Sequence, residues 1–191
     1  YYKITNHEQG NKLANTIHQE KHRELIVVVY NFVDMLSHAK TDMKVIKELA
    51  ADDKSYRSLT KSWFDNSPLL SMIKEAQNMN CKLMITTDHG TINVKNPSLV
   101  KGDRETSLNL RYKTGKSLSY NDKQVMAVKN PADARLPSIN MSSSYIFAKN
   151  DFFLAYPNNY NYYANYYKDS YQHGGISMEE MIIPFCVYNP K

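Results

Sequence analysis

Cysteine, glycine and long apolar runs are all scarce in this sequence, and each scarcity closes off a class of protein. Two cysteines, Cys81 and Cys186, cannot build a disulfide framework. Both lie in apolar runs far apart in sequence, so they are expected as buried free thiols in a reducing compartment, with the cytoplasm as the default. Six Gly and seven Pro among 191 residues are too few for a disordered chain. The longest apolar stretches, residues 25–29 and 181–187, fall far short of the roughly 18 residues that a membrane span requires, so no span is expected. The opening Tyr1-Tyr2-Lys3-Ile4-Thr5 has neither an initiator Met nor the charged-then-apolar pattern of a signal peptide. The chain is therefore expected to begin inside a longer protein.

What is present suits one globular unit: 42% of residues are hydrophobic, enough for a sizeable core, and the net charge of +5 is modest. Residues 1–23 read as a polar approach segment, in which Leu13, Ala14 and Ile17 are the apolar positions from residue 10 onward. Residues 24–33 are rich in β-branched and apolar residues, as in a strand buried on both faces of a largely parallel sheet. Helical spacing covers residues 41–49 and 67–78, the second opening with Ser67-Pro68 as N-cap and first helical residue. A second strand follows at residues 81–87. This order predicts an α/β layered domain, whose ligands sit beyond the carboxyl ends of parallel strands.

Residues 90–143 are polar and turn-rich and read as a long active-site excursion carrying a small hairpin, with a short apolar piece at 125–128. Beyond it come expected paired strands at residues 144–148 and 152–154. Tyr160, Tyr163, Tyr167 and Tyr171 then recur at helical spacing before a last apolar strand at residues 181–187.

Three places combine metal-ligand residue types with strand ends or glycine turns. Asp88-His89 closes a strand and is followed by Gly90, which permits a sharp turn. Asp34 follows the apolar run at 24–33 and precedes His38 by one helical turn. His173 stands before Gly174-Gly175, next to Ser177-Met-Glu-Glu180, a capping box opening a short helix. Each has a plain alternative: a turn-capping Asp, a surface His, a loop residue. Together they supply two Asp and three His, and that convergence favours a site. Oxygen and nitrogen ligands without Cys suit zinc or manganese, and two ions about 4 Å apart suit in-line phosphoryl displacement. His7, His18 and His22 lie in the polar opening stretch and read as solvated.

Six basic residues fall between Lys95 and Lys116, against Asp103 and Glu105. Arg104, Asn109, Arg111 and Lys113 among them are candidates to hold a nucleotide or oligonucleotide backbone, since Arg offers bidentate donors to phosphate. A solvated basic loop is the plain alternative. Seven Tyr between Tyr156 and Tyr171 suit a half-buried packing face, a dimer contact or base stacking, with packing favoured.

Asp34-x-x-x-His38, Thr87-Asp88-His89-Gly90 and His173-Gly-Gly resemble, in that order, the second half of the alkaline phosphatase superfamily signature. The stretches 102–113 and 173–181 are similar to the PglZ domain of PorX-type two-component response regulators, which govern type IX secretion. This resemblance covers residues 24–188 and implies a three-layer alkaline-phosphatase-like sheet with flanking helices, of which residues 24–191 are the C-terminal part. It implies two zinc ions, one held by Asp34, His38 and His173 and the other by Asp88 and His89. It also implies a phosphodiesterase acting on cyclic or linear oligonucleotides, with regulatory partners in a secretion system. The family's nucleophile and a further Asp normally precede the strand at 24–33. Neither Thr5 nor Thr16 is expected to follow an apolar strand, so no nucleophile is assigned, and metal is expected to bind weakly at Asp88 and His89. The alternative is a non-catalytic, metal-stabilised binding or dimerisation module.

Overall fold

The computed structural model describes residues 1–103, 106–138, 140 and 142–190. The chain divides into two compact units, one of residues 1–86 with 184–191, the other of residues 87–183.

The first unit runs β1 (Tyr2–Ile4), α1 (His7–Thr16), a 3₁₀ turn (Ile17–His22), β2 (Val28–Tyr30), α2 (Phe32–Asp42), α3 (Lys44–Leu49), α4 (Asp53–Asp65), α5 (Pro68–Asn78) and β3 (Leu83–Thr86). The last strand of the chain, β11 (Phe185–Tyr188), returns to it and pairs antiparallel with β3. β1 and β2 pair in parallel. Capping chemistry sets the helix starts: Asn6 accepts from the Gln9 amide at 2.9 Å, and Asp52 from the Ser55 amide at 2.7 Å. Ser67 caps α5 with Pro68 in its first turn, as expected from the sequence.

Residues 1–23 are built into this unit. Ile4, Leu13 and Ile17 bury against Met72, with Val28, Tyr30 and Leu69 packed around them. Three apolar side chains on a polar segment suffice because β1, α1 and the 3₁₀ turn present them to one side, against α5. The expected strand at 24–33 contracts to three residues. Leu25 is exposed, and the chain turns into α2 at Phe32, so Asp34 sits in a first helical turn. Cys81 is half-buried and Cys186 exposed, both free. The expectation of two buried thiols fails at Cys186 because all four residues of β11 are exposed.

The second unit runs β4 (Ile92–Val94), β5 (Asn96–Leu99), β6 (Tyr112–Gly115), β7 (Val125–Val128), a 3₁₀ turn (Pro131–Ala134), β8 (Ser144–Ala148), β9 (Phe152–Ala155), α6 (Tyr160–Tyr167), β10 (Ser170–Gln172) and α7 (Met178–Met181). β8 lies between β6 and β7, antiparallel to both. β5 and β9 are parallel, and β4 pairs antiparallel with β10. The expected β8–β9 pairing is replaced by these longer-range partners, and the stretch read as an excursion supplies four strands. One core gathers Val100, Val125, Ile146, Ala148 and Leu154, and another Ile92, Val94, Phe153 and Ala155. Each fully buried aliphatic or Phe side chain contributes about 1.5–3 kcal/mol of transfer free energy.

The architecture is thus α/β, with helices beside several small sheets; among the described residues no sheet exceeds three strands. No helix among them is long and apolar enough to cross a membrane.

Candidate metal centre

His89 and His173 come together inside the second unit. Their rings stack with centroids 3.9 Å apart and planes 12° from parallel. His89 Nδ1 lies 3.0 Å from the carbonyl oxygen of Gly90. A carbonyl only accepts, so Nδ1 is the donor here, which leaves Nε2 as the ring nitrogen that could face a metal. This is the arrangement by which a backbone carbonyl orients a ligating imidazole. Asp88 Oδ1 lies 3.8 Å from that Nε2, and its side chain is 88% exposed against 30% for His89.

Both histidine loops are fixed by one acidic residue. The Gly90 amide donates to the Glu180 carbonyl at 2.8 Å, and a side chain at Gly90 would place Cβ 2.0 Å from the Glu179 carbonyl oxygen. On the other loop, the Gly175 amide donates to Glu180 Oε1 at 2.9 Å and the Ser177 amide to Oε2 at 3.1 Å. A Cβ at Gly175 would meet Glu180 Oε2 at 2.6 Å and Arg111 Nε at 3.0 Å, so glycine alone admits the pair. Arg111 completes the arrangement with a two-pronged contact, Nε to Oε1 at 2.8 Å and Nη2 to Oε2 at 2.9 Å. Its Nη1 donates to the Phe152 carbonyl. Burial by itself raises the Glu180 carboxyl, but the Arg111 guanidinium and the Ser177 amide outweigh it and hold the group below the ordinary carboxylate range.

In the first unit, Asp34 and His38 stand one turn apart on α2, His38 Nε2 lying 3.5 Å from Asp34 Oδ1. Asp34 is in the first turn, where the helix dipole favours a carboxylate. Ser37 anchors this face: its hydroxyl and that of Tyr56 on α4 lie 2.7 Å apart, and the Tyr56 hydroxyl donates to the Val33 carbonyl at 3.1 Å. The side chains are 35% exposed for Asp34 and 65% for His38.

Residues 3–188 match the pattern of the BREX system PglZ alkaline phosphatase-like domain. The chain belongs to the PglZ family. No curated protein matches it. The match begins within β1, ahead of the residues 24–188 over which the sequence motifs carry the resemblance.

The donor set in this PglZ chain fits divalent metal. Imidazole nitrogens and carboxylate oxygens are what zinc or manganese takes, and no thiolate is needed. The residues expected to hold substrate fall otherwise. Arg104 lies outside the described residues. Arg111 is 0% exposed, with Nε, Nη1 and Nη2 each donating to Glu180 or Phe152. Lys113, 1% exposed, has its Nζ 4.2 Å from the centre of the Tyr156 ring, and burial pulls the ammonium down to about 8. Asn109 directs its Nδ2 to the His173 carbonyl at 3.5 Å and accepts the Arg111 amide at 2.7 Å. Arg111 and Asn109 therefore build the loop that carries His173. The reason is local: Tyr112–Gly115 is a strand, and three of its four residues are buried.

Glu180 is the residue whose role the motifs did not reveal. Its signal was the Ser177-x-x-Glu180 capping box, which the structure contains. Nothing local shows that the same carboxylate also meets Arg111. Thr5, read as following no strand, does follow β1, and its hydroxyl donates to Gln9 Oε1 at 3.1 Å.

Proposed function

We propose that the chain carries the metal-holding C-terminal part of a zinc-dependent phosphodiesterase domain, the effector of a PorX-like response regulator controlling type IX secretion. The observation that carries this reading is the stacked His89–His173 pair, held on glycine loops with Nδ1 of His89 committed to a carbonyl. In this reading Asp34, His38 and His173 hold one zinc, and Asp88 and His89 the other. Ions bound there lower the pKa of an attacking oxygen and stabilise the charge on the leaving one. The chain's own part is to fix the imidazoles and carboxylates that hold them. The nucleophile is a residue not assigned in this chain, and the complete domain has the three-layer sheet of its superfamily. Exposure of Asp88 makes its half of the site the weaker one. Cyclic or linear oligonucleotides are the substrate class.

Phosphodiesterase activity of the full-length parent is expected to vanish on His89→Ala or His173→Ala, with zinc content falling in both. Unchanged activity in both variants would sink the mechanism. A second reading, a metal-stabilised regulatory or dimerisation module, is favoured by Tyr162 and Tyr163, which stand 62% and 40% exposed on α6. Zinc-dependent binding of an oligonucleotide without turnover by the full-length protein supports the module and not the enzyme.

A further inference from the structure

We infer that Glu180 is a positioning residue that sets the spacing of His89 and His173. This role presupposes the metal centre proposed above. One side chain and its own carbonyl reach both loops: the carbonyl takes the Gly90 amide, one residue past His89, and the carboxylate takes the Gly175 amide, two residues past His173. Arg111 locks the carboxylate in plane through two parallel bonds, and its third contact, to the Phe152 carbonyl, ties the assembly to β9. Asn109 holds the His173 carbonyl while accepting the Arg111 amide. The distance between the imidazoles is thereby referred to a buried ion pair at 0% and 1% side-chain exposure.

A role confined to stability would lower the folded fraction and leave the site of the remaining folded protein unchanged. A positioning role changes that site. Glu180→Gln keeps the shape and removes the charge that orients two amides and the guanidinium. Zinc affinity of the chain, measured by chelator competition, is expected to fall 10- to 100-fold, the range for partners that orient metal ligands. With Co2+ in place of zinc, the visible absorption of the folded variant is expected to shift in intensity and position.

Arg111→Lys keeps a cation beside the carboxylate but loses the two-pronged contact. It carries the same comparison if Glu180→Gln strands a buried charge and fails to fold. Unchanged zinc affinity and an unchanged Co2+ spectrum in a folded variant would overturn the role. His89→Ala and His173→Ala separate the two possible failures. If they leave zinc binding intact, the metal centre itself falls. If they weaken it while the Glu180 and Arg111 variants do not, Glu180 loses its role and the metal centre stands.

Discussion

The two units enclose their strands to very different degrees. In the second, Val94, Val100, Ile146, Phe153 and Leu154 are completely buried. In the first, the β3–β11 ribbon is just as apolar in sequence, yet Met84, Phe185, Val187 and Tyr188 are exposed. A continuously apolar strand is composed for a sheet covered on both faces, and a two-stranded ribbon is at best marginal by itself. Apolarity therefore tells which kind of sheet a strand suits, while burial tells whether that sheet is assembled around it. The contrast bears on the candidate site, because His89 and His173 belong to the unit with the closed interior, where a buried ion pair fixes both loops.

The strongest way to break the comparison is to remove that ion pair from one side. Arg111→Ala leaves Glu180 as an uncompensated buried carboxylate and is expected to cost about 3–5 kcal/mol in urea unfolding. A loss below about 1 kcal/mol would mean that solvent reaches the pair and that the interior is not closed. Ile146→Ala, in the centre of β8, should cost about 2–5 kcal/mol, the spread reflecting how far the cavity collapses.

The sequence exposed those parts of the fold that local chemistry determines. Ser67-Pro68 marked the start of α5, and Ser177 with Glu180 marked α7, because caps are written within four residues. The parts governed by distant partners stayed hidden. β4 to β7 are three- and four-residue strands, and β5 finds its parallel partner only at β9. α4 escaped notice because its apolar stripe is narrow, essentially Tyr56, Leu59 and Trp63 on a charged helix. In the second unit, the residue types and order of His89 and His173, whose rings stack, were readable. The inward turn of Arg111 and Lys113 was not, since a basic loop and a buried basic strand share the same composition.

Lys113 offers a finer test of the closed interior, through pH. Its folded value of about 8 lies below the ordinary 10.5 because burial disfavours the ammonium. Between these two values the unfolded chain holds a proton that the folded chain has released, so stability rises with pH across that window. The gain approaches roughly 3 kcal/mol at its upper end. Thermal unfolding of the wild type and Lys113→Met should diverge from about pH 8 upward, the wild type gaining relative to the variant. Parallel curves would show that the ammonium remains hydrated and that Lys113 is available to an anion after all.

The smallest expected effect is the one that isolates the other side of the comparison. Phe185, 66% exposed on β11, is an apolar side chain with little to lose. Phe185→Thr keeps a good strand former and removes the ring, so stability should move by no more than about 0.5 kcal/mol. Met84→Thr on β3, 54% exposed, should behave alike. A cost above about 2 kcal/mol at either position would mean that the ribbon is covered in solution, most simply by another copy of the chain. The unfolding midpoint would then depend on protein concentration. A concentration-independent midpoint together with a small cost keeps the two units as different as their burial indicates.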